Sequence, residues 1–308
     1  MKIFVTGATG FVGQEVLKQL HAGGHVVRIL VRNPESESAR QVAERFQVEL
    51  QPGTLFDIEA LDRGVAGMNA VIHLVGIISE IGENTFYHVH TEGTQNVIAA
   101  VRSARIERFV HMSALGTRAG SRSQYHQSKW LAEEAVRQSD LDYTIFRPSL
   151  IFGPNDQFVR LFARIIRFSP VVPIMAKEGV RFQPIAVEQV GAAFARSVIE
   201  PKSIGEAYDL CGPEALTFEE IIDTICAVTR KKRFKLRVPL AVSEKLAGIL
   251  EFVFPRLLKK APPLNRDQLV MLQEDNVGNP EPANALLNLS PIRFEEGIKN
   301  FTPQSRRL

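Results

Sequence analysis

The chain has 308 residues, 45% hydrophobic and 23% charged, a balance that excludes a largely disordered protein. Its formal charge of +3, spread over 37 basic and 34 acidic side chains, is too small to mark a nucleic-acid binder. Cys211 and Cys226 form neither a disulfide framework nor a metal-type pair, and no apolar run reaches the ~18–20 residues that cross a bilayer.

Strand-like and helix-like segments alternate from the first residues. Lys2–Thr6 reads as a buried strand that follows Met1 directly, so no signal peptide is expected. Val12–His21 reads as a helix, Val26–Val31 as a strand, Ala39–Phe46 as a helix and Val48–Gln51 as extended. A helix at Ile58–Val65, a strand at Ala70–Val75 and a long helix within Asn84–Ala104 follow. Arg108–Met112 (strand), Ser123–Gln138 (helix) and Tyr143–Phe146 (strand) complete about 150 residues of alternation. Such alternation predicts an α/β fold, a Rossmann-type doubly wound parallel sheet. Beyond Arg147-Pro148 the closely spaced prolines, with helices expected at Val187–Ile199 and Phe218–Val228, divide the chain. Residues 1–150 form the dinucleotide-binding domain in this reading, and residues 151–308 a smaller C-terminal α/β lobe interleaved with it.

The first strand and helix are joined by Thr6-Gly7-Ala8-Thr9-Gly10-Phe11-Val12-Gly13. Gly7 allows a sharp exit from the strand, Gly10 a close approach of backbone to a pyrophosphate, and Gly13 close helix–strand packing. The helix start presents free N–H groups and a positive dipole end to phosphate. A dinucleotide is therefore expected here, held by Gly7, Thr9, Gly10, Phe11, Val12 and Gly13. Chains that hold NAD(H) usually place an acid at the end of the second strand to bind the ribose 2′-OH. Here Leu30-Val31-Arg32-Asn33 offers no acid; Arg32, or less directly Arg28, suits a 2′-phosphate. NADP(H) is the expectation and NAD(H) the alternative.

Tyr125 and Lys129 stand four residues apart on one predicted helix face. A nearby ammonium and an oxidised nicotinamide would each lower the phenol pKa, fitting Tyr125 for proton transfer at a carbonyl. Lys129 would be its electrostatic partner and a ribose anchor. Ser113, at the end of the preceding strand, is the candidate carbonyl-polarising hydroxyl. The seven histidines suggest no metal, since His88 and His90 face different directions on a helix.

These residues resemble the short-chain dehydrogenase/reductase superfamily in its extended and atypical branches. TGATGFVG, His73-Leu74-Val75-Gly76, the Tyr125/Lys129 pair and Arg147-Pro148-Ser149-Leu150-Ile151-Phe152-Gly153-Pro154 carry the likeness. The resemblance implies that Leu55, Val75, Gly76, Arg147 and Pro148 also line the cofactor. HLVGII, EGTQNV, RFVHMSALG, YHQSKWLAEE and TIFRPSLIFGP bring the chain nearest to relatives of the nucleotide-binding accessory subunit of respiratory complex I. Three functions follow: a reductase or dehydrogenase of a small carbonyl or hydroxyl substrate, a non-catalytic nucleotide-holding subunit or assembly factor of a respiratory NADH:quinone oxidoreductase, and a sugar-nucleotide epimerase or dehydratase. Two positions depart from the family: His90 stands where extended members commonly carry Asn, and Thr54 where an adenine-binding Asp is usual, with Asp57 left to cap the next helix.

Arg230–Arg237 holds six cations and no acid, and the alternation of Phe234, Leu236 and Val238 predicts a half-buried strand with its basic face outward. An apolar stretch from Leu240 to Leu258 follows, ending at Lys259-Lys260. It reads as a helix over the cleft, or as a peripheral contact through residues 230–260 with an anionic membrane or a respiratory complex. The protein is then expected in the cytoplasm, or peripherally at the inner face of a membrane.

Overall fold

The computed structural model describes residues 1–258 and 260–299; Lys259 and residues 300–308 lie outside the described residues. Seven strands form the central sheet: β1 (Lys2–Thr6), β2 (Val26–Val31), β3 (Glu49–Pro52), β4 (Ala70–His73), β5 (Arg108–Met112), β6 (Asp142–Pro148) and β7 (Glu206–Leu210). Their order is β7-β6-β5-β4-β1-β2-β3 and every pairing is parallel. The chain first runs outward from β1 to β3 and then crosses to β4, so the topological switch falls between β1 and β4.

Helices α1 (Phe11–Ala22) and α2 (Glu37–Phe46) cover one face, and α3 (Ile58–Val65), α4 (Gly93–Ser103) and α5 (Gln124–Arg137) the other. Val16, Leu17 and Leu20 of α1 are fully buried with Ile3 and Val5 of β1, while Leu61, Val97 and Val101 close over Phe4 and Val71. Alternate β1 residues thus feed opposite layers, as the pleat requires. Helix α6 (Gln157–Phe168) begins the second lobe, α7 (Val187–Ser197) returns to pack beside α1, and β7 extends the sheet next to β6. Helix α8 (Phe218–Val228), α9 (Leu240–Val253) and α10 (Arg266–Met271) complete the lobe, whose core joins Phe152, Phe182, Phe218 and Phe294.

Three expectations change. Strand β4 stops at His73 because Leu74 and Val75 must pass over the glycine turn: a Cβ on Gly7 would lie 3.0 Å from their backbone. The long helix opens as a π-helical turn, Tyr87–Glu92, before α4 proper. The strand Phe234–Arg237, paired with Val171–Ile174, turns the opposite way to the one its alternation suggests. Lys235 reaches Asp223 at 2.6 Å and Arg237 reaches Glu219 at 2.7 Å, both on α8, which leaves Phe234 and Leu236 facing water. Alternation marks two faces, but only the acidic surface of α8 decides which one packs.

Candidate functional site

The loops after β1, β4 and β5 meet at the switch point. Gly7 sits at φ +78°, a conformation that favours glycine, and turns the chain out of β1 against Leu74. Gly13 lies so close to the Gly7 carbonyl and to Ala8 that any Cβ would collide with backbone. Between them Gly10 caps α1 without a side chain to accept from the first turn. The opening N–H groups of α1, at Phe11 and Val12, are therefore left for a ligand at the positive end of the helix. Thr9 is tied into the turn by its carbonyl, which accepts from the Gln14 side chain at 3.2 Å. Uncapped donors, a positive dipole end and a cradle that a Cβ would fill are what a pyrophosphate requires, so these residues fit a dinucleotide.

The two arginines near β2 separate clearly. Arg28 donates to the carbonyls of Arg63, Gly64 and Ala66 at 3.0 Å each and pairs with Glu49, so it closes the end of α3. Arg32 is exposed at the end of β2 and engages no other described residue. Asp57 caps α3, accepting from the Ala60 N–H at 3.0 Å. Leu55 is buried, and its carbonyl is taken by the Asn96 amide at 3.0 Å.

Helix α5 carries the second half of the site. Its buried Lys129 donates to the Met112 carbonyl at 2.9 Å, directly under the β4 loop, since a Cβ on Gly76 would sit 3.2 Å from Nζ. Burial draws the Lys129 ammonium down to about 8. His90 completes this cluster. Its Nε2 accepts from the Ile77 N–H at 2.9 Å, and its Nδ1 faces the Ser128 hydroxyl at 2.8 Å. Burial, with Lys129⁺ alongside, lowers His90 to about 2 and keeps the ring neutral. The Tyr125 ring stands edge-on to His90 at 5.2 Å and to Phe86 at 5.8 Å. The structure therefore unites Tyr125, Lys129, His90 and the Val75-Gly76 loop.

Tyr125 is not acidified as its spacing from Lys129 suggests. Burial, followed by the Asp267 carboxylate, pushes the phenol up to about 12. Asp267, in the first turn of α10, accepts from the Ser123 hydroxyl and the Gln124 N–H at 2.7 Å each and from the Tyr125 N–H at 3.2 Å. A carboxylate from the second lobe thus satisfies the start of α5 and fixes Tyr125 through its backbone. No local pattern announces Asp267, because the contact spans 142 residues.

One expected site residue, Arg147, has its guanidinium engaged by a carboxylate. The Ser113 hydroxyl is buried and makes no hydrogen bond among the described residues, while the Glu133 carboxylate lies two turns along α5 from Tyr125. Arg147 grips the same carboxylate with two bonds, Nε–Oε1 at 2.8 Å and Nη2–Oε2 at 2.6 Å. Burial favours the neutral Glu133 carboxyl, but Arg147 and Arg137 outweigh it and hold it below the usual carboxylate range. Arg147 therefore anchors α5 to β6 through its guanidinium. Pro148 ends β6, and its carbonyl accepts from the Leu115 N–H at 2.9 Å. A cleft of about 510 Å³ opens beside Tyr125, walled by Ser79, Phe86, Gln124, Glu251, Pro255 and Asp267.

Residues 7–160, half of the chain, match the family model described as NAD(P)H-binding. The chain is 33% identical over 200 residues to a ceramide reductase of Caulobacter vibrioides, covering 64% of this chain and 62% of that one, under two thirds of its length. It is 28% identical to a 2-alkyl-3-oxoalkanoate reductase of Stenotrophomonas maltophilia across 99% of both chains. To the mitochondrial NADH dehydrogenase (ubiquinone) 1 alpha subcomplex subunit 9 of Arabidopsis thaliana it is 26% identical, over 95% of this chain and 72% of that one. An NADPH-dependent quinone oxidoreductase from Escherichia coli, solved with NADPH, shares the fold with a TM-score of 0.77 at 20% identity, over 97% and 99% of the two chains. The expected kinship with reductases and with the complex I subunit is met.

Proposed function

Since the chain belongs to the NAD(P)H-binding family, we propose that it is an NAD(P)H-dependent reductase of a ketone on an alkyl-chain substrate. The observation that carries this reading is the convergence of Tyr125, His90 and Lys129 beneath the β4 loop, near a cleft whose wall includes the Tyr125 neighbours Phe86, Gln124 and Asp267. The names of two reductase relatives, one for ceramide and one for 2-alkyl-3-oxoalkanoates, support the substrate class.

When bound, NAD(P)H supplies the hydride; the protein's part is the proton and its placement. The Tyr125 phenol keeps its proton at neutral pH and can donate it to a carbonyl oxygen as hydride arrives. Lys129, one turn further along α5, supplies the positive charge that steadies the phenolate left behind. Unengaged Arg32 supports NADP(H) as the cofactor, now that Arg28 is committed to α3.

The test is NADPH oxidation with 3-oxoalkanoates of increasing chain length. Tyr125→Phe is expected to lose about 10²–10⁴ in kcat while keeping the NADPH-induced rise in melting temperature. Unchanged turnover removes the proposed acid. Arg32→Ala is expected to lower the NADPH-over-NADH preference by roughly 10–100-fold, the worth of a charge-assisted bond. An unaltered preference refutes the 2′-phosphate contact.

A nucleotide-holding role is favoured by one observation, the likeness to the mitochondrial NADH dehydrogenase subunit over 95% of this chain. Cofactor binding without oxidation by any ketone in the series would support it over the reductase.

A further inference from the structure

The stretch from Phe234 to Leu258 is built inside out. Nine of the 21 large hydrophobic side chains left exposed among the described residues fall in these 25 positions. Helix α9 buries only Ser243 and Ala247 and turns Val242, Leu246, Ile249 and Phe252 outward, the last two 60% exposed. An ordinary surface helix does the reverse. Phe234, 66% exposed, and Leu236 add exposed apolar side chains on the strand that precedes α9 in the chain, and Phe168, 74% exposed, lies three residues before that strand's partner. Leu257 and Leu258 are exposed beyond α9.

The same region is strongly basic. Residues 230–260 carry ten lysines and arginines against two acids, whereas the whole chain has a net charge of only +3. The acids that face it are largely occupied: Asp223 by Lys235, Glu219 and Glu178 by Arg237, and Glu251 by Arg266. Arg230, Lys231, Lys232 and Lys245 hold no ion pair among the described residues. Arg256 rests 3.8 Å over the Phe252 ring, so a cation accompanies an apolar anchor.

We propose that this surface docks on an anionic lipid bilayer, with α9 lying in the interface and its apolar side chains between the acyl chains. Apolar side chains interspersed with unpaired cations match the chemistry of such a surface. A second copy is opposed by the like charge that both faces would bring together. Docking stands apart from the reductase reading and meets it at one place: Glu251 and Pro255 wall the cleft beside Tyr125, so its mouth would lie near the lipid.

The experiment is co-sedimentation of the full chain with phosphatidylcholine vesicles and with vesicles that also contain phosphatidylglycerol. Binding is expected only to the anionic vesicles and is expected to weaken as salt rises. The double variants Ile249→Ser/Phe252→Ser and Lys231→Glu/Lys232→Glu are each expected to lower partitioning at least about tenfold. Both alter exposed positions, so melting temperature and the NADPH-induced shift should stay the same, which separates docking from folding. The proposal is overturned by absence of binding, or by binding that both variants retain. It is overturned too if sizing shows self-association that Ile249→Ser/Phe252→Ser abolishes without any lipid binding, because the face then joins two copies. Lipid binding without reduction of any ketone would sink the reductase reading and leave docking intact.

Discussion

Helices α1 and α9 are similar in length and opposite in construction. α1 buries Val16, Leu17 and Leu20 against the sheet and leaves backbone N–H groups free at its uncapped start. α9 buries a serine and an alanine and leaves its large side chains in water. In the first, packing is complete and the unsatisfied groups are polar N–H donors of the kind that suit a phosphate. In the second, the unsatisfied groups are apolar and flanked by cations. The difference teaches that a site is written in what folding leaves unpaired, and that the kind of group left over indicates the kind of partner.

The largest test of this comparison is pH, because the sheet-bearing half of the molecule to which α1 belongs hides its titratable groups and α9 displays its charges. His73, His90 and His126 are buried and neutral, lowered by desolvation first to about 3, 2 and 4. Unfolded, each would take a proton near 6.5, so the unfolded chain binds more protons in acid and stability falls as pH drops below that value. Each such group contributes about 1.4 kcal/mol per pH unit in this window, and three together are a large share of a typical ~5–15 kcal/mol. Urea midpoints should fall steeply between pH 7 and pH 5. Lys129 acts at the other end: folded it loses its proton above about 8, unfolded only near 10.5, so stability should rise with pH across that interval, and Lys129→Met should flatten the rise. Midpoints insensitive to acid would mean that water reaches the buried histidines.

Next in size is Gly13→Val. Its Cβ would press on the Gly7 carbonyl and on Ala8, all backbone, so relief requires the turn itself to move. A loss of about 2–4 kcal/mol in unfolding free energy and abolition of the NADPH-induced thermal shift are expected. Stability lost with the shift preserved would place the nucleotide elsewhere.

What was legible in the sequence follows the same division. The glycine turn and the strands of the parallel sheet are local patterns, and β1, β2, β5, α3 and α8 lie at the residues their periodicity predicts. The Tyr125/Lys129 pair was legible as a face of one helix, but the Tyr125 environment was not, since burial first, and then Asp267 from a distant helix, raise the phenol that Lys129 was expected to lower. Arg147 lies inside β6, one residue past the strand its pattern predicts, and its partner Glu133 looks in sequence like one more charge on an exposed helix face. The Phe234–Arg237 strand was recognisable and its orientation was not, because a period of two cannot say which side the core lies on.

The smallest effects test α9 most directly, through two neighbouring residues. Leu246 is exposed and Ala247 is fully buried, although a hydrophobicity pattern would bury the leucine first. Leu246→Ser removes apolar surface that folding never covered, so unfolding free energy should change by no more than about 0.5 kcal/mol. Ala247→Leu adds three carbons where the helix meets the lobe, and overpacking of that kind costs about 1–3 kcal/mol. The size order is thus inverted relative to a helix such as α1, where truncating Leu17 to Ala should cost about 2–5 kcal/mol. Chemical denaturation of the three variants decides the matter: if Leu246→Ser proves as costly as Leu17→Ala, the outward face of α9 is covered in the folded protein and the contrast between the two helices disappears.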